Sequence, residues 1–147
     1  MHAVSISGDN LEYVPGDLIT YDLCLAAVTQ DGYAVKYIPV SKHTYNTEIA
    51  KLYLAAVNDN GWALDNIPMY ARTLEICTAA VKQDDFALKY LPDNYMIVKH
   101  FIKDNPCIIK NFKTFNDEQY MNLTELNPRI VCYYQHHAIV LQSVLRM

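Results

Sequence analysis

An all-α chain of stacked helical hairpins is the fold class this sequence predicts, and three observations predict it. The stretch Leu23–Pro39, LCLAAVTQDGYAVKYIP, returns as LYLAAVNDNGWALDNIP (Leu52–Pro68) and as ICTAAVKQDDFALKYLP (Ile76–Pro92). Copies of a short helical unit bury their apolar faces against one another, because none is large enough to do so alone. Glycine is scarce, at 4 of 147 residues, which disfavours a turn-rich sandwich or barrel. With 52% apolar and 19% charged residues the chain can bury a real core and is not disordered.

The prolines set the frame. Pro15, Pro39, Pro68 and Pro92 close the hexapeptides NLEYVP, AVKYIP, ALDNIP and ALKYLP at separations of 24, 29 and 24. Seven residues before each stand Gly8, Gly32, Gly61 and, exceptionally, Asp85. Eleven before each stand Val4, Val28, Val57 and Val81, every one preceded by alanine. Agreement at three offsets defines hairpins of about 24 residues that form an α-solenoid or compact superhelix.

Each hairpin reads as two helices. The first surrounds LAAV and is apolar almost all round, as a helix between neighbours must be. Thr20 and Thr73 precede it as N-caps, and Asp22 and Glu75 place a carboxylate in its first turn. QDG, DNG or QDD breaks it, with glycine expected in the left-handed conformation that ends helices. The second helix is short, about Tyr33 to Tyr37 in the first full copy, and stops because the residue before proline is pushed out of the α region. The extra residues of the middle copy fall within Ser41–Glu48 as a longer connection.

Val4 already holds the valine position, so the chain opens inside a hairpin, as a capping copy or a segment of a longer array would. Beyond Pro92 the pattern is diverged. KDNPCIIKNF and ELNPRIVCYY share an Asn-Pro pair, and Pro106 and Pro128 fall where earlier copies turn, at a first helical position that suits proline. A last helix is expected over His137–Arg146. The domain reading is a single helical-repeat domain, 1–147, with clear repeats over 4–92 and diverged ones over 93–147.

The repeat LAAV-x3-G-x-AL-K-Y-x-P resembles the domain-of-unknown-function family 4116. Leu25–Val28 with Gly32 and Val35–Tyr37, and Thr78–Val81 with Leu88–Tyr90, carry the likeness. The resemblance implies a tandem helical array, in proteins some of which resemble effectors of intracellular bacteria. It brings no catalytic residues with it.

The formal charge is −4, and the excess lies in one half. Residues 1–73 carry 8 acidic and 4 basic side chains, against 8 of each in 74–147. An acidic surface is unsuited to neutralising phosphates, so a nucleic acid is not the expected partner. Lys99, Lys103, Lys110 and Lys113 read as a solvated face. The N-terminus lacks the basic and apolar regions of a signal peptide, and no run of roughly 18 apolar residues is present to span a membrane. Cys24, Cys77, Cys107 and Cys132 lie in apolar patterns and are expected as buried free thiols in a reducing, cytoplasmic compartment, or in a host cytosol if the chain is effector-like. The sequon Asn122-Leu123-Thr124 would then be irrelevant.

Candidate sites follow from what the repeat leaves variable. Tyr33, Trp62 and Phe86 recur just after the turn. They could form an aromatic ladder that grips a partner, although packing between hairpins explains the same spacing. Tyr13, Tyr37 and Tyr90 form a second row, broken by Asn66, for which packing is the favoured explanation. Lys36, Asp65 and Lys89, with Glu12, form a row of changing charge where partner selectivity could reside. Cys132 and His136 stand one turn apart with His137 beside them, but no second pair completes a metal site, so no metal or other cofactor is expected. Cys107 near His100 is the sequence-local pairing a small cysteine/histidine-dependent hydrolase or transferase could use. Its repeat position matches the apolar Phe86, which favours an inert thiol. No phosphate loop or zinc-protease motif is present. The favoured reading is a non-enzymatic protein-interaction module or scaffold.

Overall fold

The computed structural model describes residues 8–39 and 45–133. Those residues are all-α, with no strand among them, and alternate α-helices with short 3-10 helices. They group into two compact units, one ending at Tyr90 and the other beginning at Leu91, where the sequence reading treats 1–147 as one domain. The proposed opening helix around Val4, the final helix over His137–Arg146 and the first half of the Ser41–Glu48 connection lie outside the described residues.

In the first unit, α1 (Tyr21–Gln30), α2 (Thr47–Asp59) and α3 (Leu74–Gln83) carry the LAAV runs. Each is followed by a six-residue 3-10 helix: η2 (Gly32–Tyr37), η3 (Gly61–Asn66) and η4 (Asp85–Tyr90), while η1 (Gly8–Tyr13) belongs to the preceding copy. Helix α1 packs on α2 and α2 on α3; likewise η1 packs on η2, η2 on η3 and η3 on η4. The core is made of the residues that recur, Ala27, Val28, Ala34 and Val35 with Ala56, Val57, Ala63 and Leu64, all essentially sealed from solvent.

The expected caps are present. The Thr20 hydroxyl accepts the Leu23 amide and the Thr73 hydroxyl that of Ile76, each at 3.3 Å. Asn46 caps α2, whose 13 residues against 10 in α1 and α3 absorb part of the longer middle spacing. Ile38 and Ile67, each before a proline, are extended, as the proline ring requires.

The turn between helices corrects the expectation of a left-handed glycine. Among the described residues no glycine has positive φ. The break is made instead by one extended residue, Asp31, Asn60 or Asp84, with φ between −143° and −152°. Its amide closes the α-helix onto Ala27, Ala56 or Ala80, and its side chain accepts the amide two residues on, opening the 3-10 helix.

The glycines serve a different need. A Cβ on Gly8 would stand 2.7 Å from the Ala27 carbonyl oxygen, and one on Gly61 would stand 2.5 Å from that of Ala80. Gly32 is pressed in the same way against Ala56. Each of these three repeat glycines is thus seated on the last turn of the next copy's α-helix. The amides of Gly32 and Gly61, each first of its 3-10 helix, donate outward to that copy. Gly32 N–H meets Asp59 Oδ2 at 2.8 Å, and Gly61 N–H meets Gln83 Oε1 at 2.6 Å. Asp85 replaces glycine in the copy that ends the first unit.

The second unit holds α4 (Tyr95–Ile102) with η5 (Pro106–Asn111), and α5 (Asp117–Leu126) with η6 (Pro128–Tyr133). Asn116 and Gln119 form a reciprocal capping box on α5. Proline stands at the glycine place and Phe101 or Leu123 at the alanine place. Having no N–H, proline cannot make the forward bond. Here the later copy donates: Asn127 Nδ2 reaches the Ile102 and Lys103 carbonyls at 3.1 and 2.8 Å. The sequon threonine, Thr124, is buried and bonded to the Tyr120 carbonyl.

Candidate functional site

Trp62 and Phe86 are brought together by the step from one 3-10 helix to the next. Their rings stack at 5.2 Å and 25°, and Tyr90 meets Trp62 edge-on at 6.5 Å. One carboxylate sets both rings. Asp84 Oδ2 accepts the Trp62 indole N–H at 2.7 Å, and Asp84 Oδ1 accepts the Phe86 amide at 2.8 Å. Lys89 lays its ammonium over all three rings, 4.7 Å from Trp62, 4.6 Å from Tyr90 and 5.6 Å from Phe86. Phe86 remains 60% exposed although it stacks. Packing between copies and an outward aromatic surface are therefore both present at this place.

Tyr33, the third member of the row, is half-buried with its amide held by Asp31, and the ring stack does not extend to it. Tyr13 departs from the packing expected of its row, being 79% exposed.

The charged row is solvent-facing, as its changing sign predicts: Lys36, Asp65 and Lys89 are all exposed. Its geometry reveals a slot that sequence spacing alone does not. Lys36 and Lys89 each lie beside the residue that follows glycine in the preceding copy. Lys36 there meets Asp9 at 3.9 Å, and Lys89 meets Trp62. Lys36 also covers Tyr37 at 4.5 Å, and its pKa is raised first by the Tyr37 hydroxyl and then by the nearby carboxylates.

Arg72 is a residue that pattern reasoning missed. It follows η3 in a connection containing a short 3-10 turn, Met69–Ala71. Its guanidinium donates to the Ile67 carbonyl at 2.7 Å, the Asp65 carbonyl at 3.0 Å and the Tyr90 carbonyl. It therefore joins the ends of η3 and η4, reaching the backbone of Tyr90, a member of the aromatic cluster. Burial lowers its pKa, an effect that Asp65 opposes. The signal was a charge in the place that holds Ile19 in the earlier connection.

The thiols divide. All four cysteines are free; Cys24 and Cys77 are buried, whereas Cys107 is partly buried and Cys132 exposed, against the expectation that all four are buried. Burial pushes the Cys24 thiol up and that of Cys77 up to about 11, leaving both as poor nucleophiles. His100 packs its ring on Phe101 at 4.9 Å, and no hydrogen bond joins it to Cys107. His136, proposed beside Cys132, lies outside the described residues. Among the described residues no group of three His, Cys, Asp or Glu could hold a metal ion, and no helix is long and apolar enough to cross a membrane.

Two shallow cavities recur between successive α-helices. One of about 160 Å³ is lined by Thr20, Cys24, Ile49 and Leu52, and one of about 230 Å³ by Tyr45, Ala50, Thr73 and Ile76. Neither gathers convergent catalytic groups. Beside the second, Tyr45 stacks at 6.2 Å on Tyr53, whose burial pushes its phenol up to about 12. Compared with protein-family models, curated proteins and solved structures, the chain matches none.

Proposed function

We propose that this chain is a non-enzymatic protein-interaction module or scaffold, read as a solenoid of helical repeats, in which the face of Trp62, Phe86, Lys89 and Tyr90 contacts another protein. The observation that carries the reading is the exposed, pre-set ring cluster. Its rings are oriented by Asp84 before any partner arrives, and large aromatics held rigid at a surface dominate interface energetics. Lys36, Asp65 and Lys89 line the same series of repeats and give selectivity by charge. Free thiols without disulfides are in keeping with a reducing compartment, the organism's own cytoplasm or a host cytosol for an effector-like protein.

Affinity capture with immobilised protein tests the reading, wild type against Phe86→Ala. Phe86 is mostly exposed, so the variant keeps the fold, which its circular dichroism verifies. Truncating a ring at the centre of an interface costs about 2 kcal/mol or more, roughly a thirtyfold loss of affinity. The expected result is a protein retained by wild type and depleted in the variant. Equal retention by both, or none by either, counts against this face.

A further inference from the structure

We propose that the Trp62–Phe86–Tyr90 cluster receives the ammonium group of a lysine on the partner, favouring its N-methylated form, and that Lys89 occupies this site in the free protein. The inference rests on the interaction reading of the same face and names what that face takes.

Three observations converge on a cation. First, three ring faces already surround one ammonium nitrogen at 4.6–5.6 Å, within the distance at which ring quadrupoles attract charge. Second, the equivalent slot two copies earlier pairs Lys36 with a carboxylate, Asp9, whereas an indole stands in that place beside Lys89. Here Asp84 is engaged by the indole and by the Phe86 amide, so it orients the rings. Donation of the indole N–H to a carboxylate also enriches the ring in electron density, which strengthens its pull on a cation. Third, residues 1–90, the stretch that ends with the cluster's own Tyr90, carry 11 acidic against 6 basic side chains, a field that favours a cationic partner.

Lys89 is a weak occupant. Its primary ammonium is compact and strongly hydrated, and the side chain is exposed. A methylated ammonium sheds less hydration and covers more ring surface, so it displaces Lys89. Cation–π attraction at an exposed site corresponds to roughly a two- to fivefold preference for the occupied state. Removing Lys89 therefore raises apparent affinity by about that factor.

Trp62 is the only tryptophan in the chain, so its emission reports the site directly. A short peptide carrying trimethyllysine is titrated at constant ionic strength into wild type, Lys89→Ala and Phe86→Ala. Its counterparts with unmodified lysine and with the neutral tert-butyl isostere serve as comparisons. The expected result is saturable quenching by the trimethyllysine peptide, a Kd two- to fivefold lower in Lys89→Ala and higher in Phe86→Ala, and binding of the isostere at least about tenfold weaker. An isostere that binds equally well, or a Kd unmoved by Lys89→Ala, overturns the proposal. Should no peptide bind while wild type still retains a protein that Phe86→Ala loses, the interaction reading survives and the ammonium occupant is wrong.

Discussion

Replacing Gly61 by alanine separates two accounts of the repeat glycine by sign. Gly61 does not use positive φ, so a glycine kept merely as a turn residue would gain from alanine about 0.4–1 kcal/mol through the unfolded state. The packing argument gives the opposite. The new Cβ would stand 2.5 Å from the Ala80 carbonyl oxygen and 2.8 Å from Gln83 Oε1, where ordinary contact begins at 3.4 Å. The neighbouring helix must recede by roughly 0.9 Å, an overpacking cost of about 1–3 kcal/mol. Moving Gln83 also breaks the 2.6 Å bond to the Gly61 amide, which adds about 1 kcal/mol. Gly61→Ala is therefore expected to destabilise the first unit by about 2–4 kcal/mol. Gly16 is the internal control: no atom lies within 4 Å of its Cβ position, so Gly16→Ala is neutral or stabilising. Urea unfolding followed by Trp62 emission reads the first unit, with the Gly61→Ala midpoint lower by on the order of 1 M. A midpoint equal to or above that of wild type would refute the nesting of glycine on the next copy.

Three further outcomes are expected. Arg72→Lys keeps the charge but cannot span three carbonyls with a planar fork, and should cost about 1–3 kcal/mol in the same unfolding assay; an unchanged midpoint would remove Arg72 as the tie between η3 and η4. Burial raises the folded pKa of Cys77 from 9.0 to about 11 and of Tyr53 from 10.0 to about 12, so the stability these groups contribute is complete below pH 9 and is lost as pH rises through 9–11 and 10–12. A stability profile flat from pH 8 to pH 12 would contradict this. Under native conditions a thiol reagent should label Cys132 first and Cys107 more slowly, reaching Cys24 and Cys77 only on unfolding, as peptide mapping by mass spectrometry would show; fast labelling of Cys77 would contradict its burial.

The legible part of the fold was whatever is written in one copy. Thr20 and Thr73 were readable as caps because capping is settled within four residues, and the proline stops followed from local sterics. Contacts between copies were not legible. Glycine was assigned to its commonest local use, a left-handed turn, while its real constraint is the Ala80 or Ala56 carbonyl of the next copy. Arg72 escaped notice because its partners are backbone carbonyls, which leave no trace in residue identity. The aromatic row was found by spacing, but spacing cannot tell that Trp62 and Phe86 stack while Tyr33 stays apart. The division near Tyr90 coincides with Asp85, which stands where the three earlier copies have glycine.

The direction of the glycine bonds bears on how the chain is made. Gly32 is completed by Asp59, and Gly61 with Trp62 by Gln83 and Asp84, so each copy is finished by residues synthesised after it. Emerging from the ribosome, a copy waits about 22–27 residues for its acceptors, with its amide and indole donors still open to water. Removing the last copy of the first unit would leave the buried-side Gly61 amide and the Trp62 indole donor without acceptors, whereas removal from the other end would free the Asp59-bonded Gln83 side chain, which is exposed and which water satisfies readily. The array has a leading and a trailing end, and its tolerance of truncation should be unequal at the two.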